Sequence, residues 1–278
     1  MEFFKVKLKE EFPFLTTKQD PELTCYINDN YKSVRENRLN PAILIIPGGA
    51  YFNVSMRREG ESMAFKYLSK GFNVFVLNYS VHPECYPTQF YEAACAIKYI
   101  RTNAAKWNVD PNKVAVNGYS AGGHLAASLG VWWDDEDMLK ALNANKENIR
   151  PDALILSYPV ISADPKISHM GSINNVSGTI DTEAPIYKKM SLENHVNANT
   201  PPTFIWHTFE DQVVPVQNSL KFAYALAENK VLFEQHIYPY GQHGLATSDY
   251  ASNDITQDHY SAPWIQDSIK FLYSLWYK

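Results

Sequence analysis

Along most of the chain, short apolar runs of strand length alternate with stretches of helical period. Ala42-Ile43-Leu44-Ile45-Ile46 is a continuous apolar run closed by Pro47-Gly48-Gly49, which suits a strand buried on both faces. Between Glu59 and Lys70, Met63 pairs with Tyr67 and Ala64 with Leu68 one helical turn apart, and Gly71 follows as a stop. Phe72 to Tyr79 predicts the next strand. From about Pro87 a long helix carries Ala93, Ile97, Ile100 and Ala104 on one face and ends before Asp110-Pro111, since a residue preceding proline avoids the helical region. Val114-Ala115-Val116 is a strand signal running into Gly118-Tyr119-Ser120-Ala121-Gly122-Gly123, and Ala121 to Val131 reads as a helix of small residues. Ala153 to Tyr158 and Thr203 to His207 are two more strands. Pro215 to Asn229 predicts a helix, Leu232 to Tyr238 a strand, and Ile265, Ile269, Leu272 and Trp276 the apolar face of a closing helix.

Strands alternating with helices in this way predict an α/β fold, a mostly parallel central sheet with helices on both faces. The 278 residues fit a single domain over 1–278. Within it, residues 159–202 form a polar stretch of weak periodicity, too long for an ordinary connection, and are expected to be a cap or substrate loop.

Composition narrows the function by exclusion. At 45% hydrophobic and 20% charged residues the chain can bury a core. Its 18 tyrosines serve either core or pocket. A formal net charge of -5, with no basic run, argues against nucleic acid as a partner. No apolar stretch approaches the roughly 18 residues of a membrane span, and the opening Met-Glu-Phe-Phe-Lys-Val-Lys-Leu-Lys-Glu offers no signal-peptide core, so neither a membrane nor export is expected. Cys25, Cys85 and Cys95 are odd in number and lack metal-site spacing, which predicts neither disulfides nor zinc and fits a reducing cytoplasm. Oligomerisation is left open.

The chemistry concentrates at Gly118-x-Ser120-x-Gly122. Such spacing arises by chance in roughly one chain in ten of this length. Here, however, it falls between a strand and an Ala-rich helix, where a sharp turn would point a serine hydroxyl away from the sheet toward substrate. A serine nucleophile needs a base and a carboxylate to orient it. Of the histidines beyond the elbow helix, His169 and His195 lie in the irregular stretch, His207 ends a strand, His236 lies inside one, and His259 is the reserve. His243, in Tyr240-Gly241-Gln242-His243-Gly244 after the last strand, is the expected base. The acid is Asp211, with Glu210 beside it as the alternative; either is otherwise a loop charge favoured by the next helix. Backbone N–H groups of Gly49, Ala50 and Ala121 are the expected oxyanion donors. His124 is expected to pack or hydrogen-bond, and Arg57 and Glu59 to pair locally, with a reach to the pocket rim as the alternative.

With these segments assembled, the chain resembles α/β-hydrolase serine esterases, in particular carbohydrate acetyl esterases of the acetylxylan-esterase kind and the hormone-sensitive-lipase group. The likeness is carried by Pro47-Gly48-Gly49-Ala50-Tyr51, by Asp110-Pro111-Asn112-Lys113-Val114 leading into Gly118 to Leu125, by Asp211-Gln212-Val213-Val214-Pro215 and by Gly241-Gln242-His243-Gly244, and it spans about residues 40 to 275. It implies an α/β-hydrolase fold and cleavage of esters, often acetyl groups on xylan-type sugars, with no metal or organic cofactor. One departure is that many relatives carry His-Gly-Gly-Gly where this chain has Pro47-Gly48-Gly49-Ala50. An amide-cleaving hydrolase of the same fold (a peptidase or arylformamidase) and a non-catalytic binding protein are the competing readings.

Overall fold

The computed structural model describes residues 1–29, 38–254 and 258–277. Eight strands form one sheet: β1 (Glu2–Lys7), β2 (Glu22–Ile27), β3 (Asn40–Ile46), β4 (Asn73–Asn78), β5 (Val109–Tyr119), β6 (Ala153–Ser157), β7 (Thr203–Thr208) and β8 (Phe233–Tyr238). Their order across the sheet is β1-β2-β4-β3-β5-β6-β7-β8. β1 and β2 pair antiparallel, as do β2 and β4, and every other pairing is parallel. The helices are α1 (Leu8–Glu11), α2 (Ser62–Leu68), α3 (Thr88–Thr102), α4 (Ala121–Trp132), α5 (Glu136–Ala141), α6 (Lys146–Ile149), α7 (Met170–Ser177), α8 (Pro185–Lys189), α9 (Gln217–Glu228) and α10 (Trp264–Trp276).

The apolar strands divide their side chains between two cores, as a pleated strand buried on both faces must. Ala42, Leu44 and Ile46 of β3 join Phe75 and Leu77 of β4, Val114 and Val116 of β5, and Leu154 and Leu156 of β6 on the face covered by α3, α4 and α9. Ile43, Ile45, Val74, Val76, Ala115, Ile155, Phe204 and Trp206 point the other way, onto α2 and α10. Both faces of β3 to β7 are thus closed, and the parallel strands deliver their C-terminal ends to one rim, where ligands bind in open α/β sheets.

Two features differ from expectation. β1 and β2 lie before the first predicted strand. Glu2 to Lys7 is an edge strand whose Val6 is buried while Phe3 is exposed, so only alternate positions carry a hydrophobic signal. The helix expected from Glu59 to Lys70 opens as a wide π-helical turn, Met56–Glu61, before α2. Its looser winding turns Glu59 inward, where it is 5% exposed. Residues 159–202 hold α7, α8 and a short 3₁₀ turn, Leu192–His195. They are tied to the body by Tyr86 N–H on Val176 O and by Ile161 N–H on Asn218 Oδ1. All three cysteines are free thiols. Among the described residues no helix is long and apolar enough to cross a membrane.

Phe204 sits fully buried in β7, its ring 6.0 Å from that of Phe271 on α10 and 5.2 Å from that of His236. Phe204→Ala is expected to cost about 3–5 kcal/mol by opening a cavity between sheet and helix. Urea unfolding should show a lowered midpoint at unchanged slope.

Candidate active site

β5 ends at Tyr119 and α4 starts at Ala121, so the chain must reverse on Ser120 alone. Ser120 takes φ 52° and ψ -119°, a conformation costly for any side chain and tolerated where surrounding structure enforces it. The glycines explain how. A Cβ on Gly122 would lie 2.1 Å from Ile46 O and 2.3 Å from Pro47 O, and one on Gly118 would lie 2.3 Å from Gly122 O. Helix, elbow and β3 therefore approach more closely than side chains permit. All of α4 is buried, so the positive end of its dipole acts at Ser120 with little screening.

Ser120, Asp211 and His243 meet at the rim. His243 Nε2 lies 2.8 Å from Ser120 Oγ and His243 Nδ1 lies 2.6 Å from Asp211 Oδ2. With the carboxylate on Nδ1, the proton belongs there, and Nε2 accepts from the serine hydroxyl. Asp211 Oδ1 takes the backbone N–H groups of Val213 and Val214, each at 2.9 Å. Oδ2 also takes His207 Nε2–H at 3.2 Å. Burial works to raise the Asp211 carboxyl, but the bonds from His207 and His243, the His243 charge and the Val214 N–H outweigh it. They hold the group well below the ordinary carboxylate range. The acid stays ionised and its direction is pinned.

Glu210, the alternative acid, is exposed and accepts the Gly241 N–H at 3.1 Å, steadying the loop that carries His243. His236 pairs with Glu234 in the edge strand and His259 with Ser261. His195 Nε2 bonds Lys189 O, and His169 caps α7 through Ser172. None of these four is hydrogen-bonded to Ser120. His207 has a part that strand position alone conceals. Its Nδ1 accepts from Ser219 Oγ at 2.7 Å, while Nε2–H is shared between Asp211 and Val214 O at 2.9 Å.

The loop after β3 runs directly beside the serine. A Cβ on Gly48 would lie 2.8 Å from Ser120 Cβ. Gly49, Ala50 and Tyr51 have φ of 127°, 58° and 55°, a succession of left-handed residues that exposes consecutive N–H groups. Among the described residues, the N–H groups of Gly49, Ala50 and Ala121 find no protein acceptor, which leaves them free for an anionic oxygen. The loop lacks the histidine of the His-Gly-Gly-Gly form, and other bonds shape it. Tyr79 OH donates to Pro47 O at 2.9 Å, Asn175 Nδ2 to Ala50 O at 2.9 Å and His82 N–H to Tyr51 O at 2.7 Å. Glu59 Oε2 takes the Gly48 N–H at 2.7 Å, and Glu59 Oε1 takes the Tyr158 hydroxyl at 2.8 Å. Local pairing, expected for Glu59, is replaced by contacts across the site. Its place in a charged run, Arg57-Arg58-Glu59-Gly60-Glu61, left a reach to the pocket rim as the alternative but named neither partner.

Chemically, the arrangement offers a hydroxyl with a base behind it, a fixed carboxylate behind the base, and a cluster of unpaired amides at a helix N-terminus. Those are the parts for attack on a carbonyl carbon. Eight strands in this order with the serine on the β5–α4 turn define an α/β-hydrolase. The chain belongs to the BD-FAE family, whose profile matches residues 29–226. It is 38% identical over 236 residues to endo-1,4-beta-xylanase B of Butyrivibrio fibrisolvens, covering 82% of this chain and 35% of that protein. It is 31% identical to an acetylxylan esterase of Xylanibacter ruminicola, covering 76% of this chain and 42% of that one. The chain thus spans less than half the length of these two relatives. Among solved structures, an acetyl ester-xyloside bifunctional hydrolase from Caldicellulosiruptor lactoaceticus superposes with a TM-score of 0.82 at 34% identity, covering 98% of this chain and 96% of the other.

His124, in the first turn of α4, holds two neighbours to the serine helix. Its Nδ1 accepts from Tyr51 OH at 3.0 Å and its Nε2–H donates to Met190 O at 3.0 Å. Burial pushes the ring down to about 4, against a smaller opposing pull from the Met190 carbonyl. The unfolded chain takes up this proton near pH 6.5 and the native one only near 4, so stability falls as pH drops between them. Between pH 7 and pH 5 this one group is expected to remove about 2 kcal/mol. His124→Asn should lose that much less on the same change, measured by urea unfolding at both pH values. An equal loss in both proteins would count against a neutral buried ring.

Proposed function

We propose that the chain is a carboxylic ester hydrolase that works through an acyl-enzyme on Ser120, and that its esters are acetyl groups on xylan-type sugars. The observation that carries the reaction type is the Ser120–His243–Asp211 chain of hydrogen bonds, at 2.8 and 2.6 Å. Ser120 Oγ attacks the carbonyl carbon as its proton passes to His243 Nε2. The carbonyl oxygen, now anionic, is met by the amides of Gly49, Ala50 and Ala121 at the α4 N-terminus. His243 returns the proton to the departing sugar oxygen. A water then repeats the sequence on the acyl carbon, releasing acetate and restoring the serine. Asp211 keeps the imidazole in the required tautomer and offsets the charge it gains.

The acetyl-sugar part rests on likeness. An acetylxylan esterase and an acetyl ester-xyloside hydrolase are among the relatives, and further relatives of 27% and 26% identity are esterases of Mycobacterium tuberculosis.

A fluorophosphonate probe should tag the wild type at Ser120 and leave Ser120→Ala untagged and inactive. Asp211→Asn should lower kcat by about 10⁴-fold through the wrong tautomer. Glu210→Gln, which removes the charge but keeps an oxygen able to accept the Gly241 N–H, should cost less than about 10-fold. A larger loss from Glu210→Gln than from Asp211→Asn would move the acid. Turnover of p-nitrophenyl esters is expected to fall steeply beyond acetate, and acetylated xylo-oligosaccharides to release acetate. Comparable turnover of long acyl chains or of peptide anilides would overturn the substrate.

A further inference from the structure

Glu59 is buried at 5% exposure, and no lysine or arginine pairs with it among the described residues. An unpaired carboxylate in such a place is costly and is seldom kept for packing. The chain also adopts a π-helical turn at Met56–Glu61 to bring it there, a form concentrated at functional sites. Burial pushes the Glu59 carboxyl up from its ordinary range, while the Tyr158 hydroxyl, the Gly48 N–H and the neighbouring His243 and Arg58 oppose it. The hydrogen-bond pattern is that of the charged form. The Tyr158 hydroxyl already accepts the Ala246 N–H at 3.0 Å, so its own proton goes to Glu59 Oε1, and Oε2 takes the Gly48 N–H. Both oxygens act as acceptors, the pattern of an ionised carboxyl.

The two partners lie on opposite sides of Ser120. Gly48 begins the loop that presents Gly49 and Ala50. Tyr158 follows β6, and its ring stands edge-on to His243 with centroids 5.0 Å apart, while its hydroxyl fixes Ala246, three residues beyond His243 in the same loop. We propose that Glu59 is a positioning residue for the ester hydrolysis, one carboxylate that holds the oxyanion loop and the histidine loop in register across Ser120 and adds a negative charge on the Tyr158 side of the imidazole. This rests on the acyl-enzyme reading. It differs from a packing role because both loops must stay in register as the tetrahedral oxyanion and the imidazolium form together.

Around the imidazole, the other titratable groups are Asp211 from the β7–α9 loop, His169 from the 159–202 stretch, Arg58 from the π turn and Tyr158. Glu59 itself also faces Tyr79 and Tyr119. Removing the Glu59 charge leaves the imidazolium less well compensated, so the acidic limb of the kcat/KM profile should move to lower pH.

The test uses Glu59→Gln, Tyr158→Phe and the double variant on p-nitrophenyl acetate, with rates divided by the fluorophosphonate-labelled fraction and Tm followed in parallel. Expected are kcat losses of about 10- to 100-fold in each single variant, with KM changed less than about 3-fold. The acidic limb moves down in Glu59→Gln, and the double variant is little worse than the poorer single one, because the two residues act as a unit. Unchanged kcat per labelled site in Glu59→Gln, or a pH limb left in place, would overturn the proposal while Ser120→Ala stays inactive. Activity retained by Ser120→Ala would overturn the acyl-enzyme reading and this one with it.

Discussion

The site depends on a backbone contact. The first turn of α4 presses on the end of β3 so tightly that a methyl group on Gly122 would sit 2.1 Å from Ile46 O. That approach is what forces Ser120 into φ 52°. A serine in an ordinary strand or helix conformation would direct its hydroxyl along the sheet or into the α4 packing. Strain of this kind persists only when neighbours over-determine it, and here the neighbours are the apolar strands β3 and β5 and a helix buried on every side. The core's packing energy holds the serine at the rim.

Around that fixed point the remaining groups arrive on separate elements and are restrained by hydrogen bonds rather than by apolar contact. Asp211 accepts from two backbone amides and two imidazoles. His124 joins α4 to Tyr51 and Met190, and Glu210 steadies Gly241. Such buried polar networks favour one arrangement because a partly satisfied member is costly. They also explain how the loop after β3 keeps its shape with proline where many relatives have histidine. Tyr79, His82, Asn175 and Glu59 share the task. The 159–202 stretch takes part through Asn175 and Met190, so its contribution reaches the loop beside the serine.

Much of this was legible beforehand, for identifiable reasons. Runs such as Ala42 to Ile46 and Ala153 to Leu156 are apolar at every position because both faces of the strand are covered. β1 was not legible because an edge strand shows its pattern at alternate residues only. Residues 159–202 lacked a repeating apolar face because their helices are a few residues long and pack piecemeal. Ser120 and His243 stood out because glycines lie beside them, and Asp211 because it follows the penultimate strand a few residues before the next helix. Glu59 and His207 did not, since one sits in a charged run and the other at the end of a strand, and neither position hints at a partner.

The amino-acid order by itself determined the alternation of strands and helices, the turn that holds Ser120 and the short set of histidines and acids able to serve it, because these follow from local period, glycine placement and chain order. Only the tertiary structure decided which acid is buried and which exposed, how Glu59 reaches Gly48 and Tyr158, and how His207 shares Asp211. Those choices depend on hydrogen bonds between residues up to a hundred positions apart, and such bonds acquire direction only once the sheet has brought its strand ends to one rim.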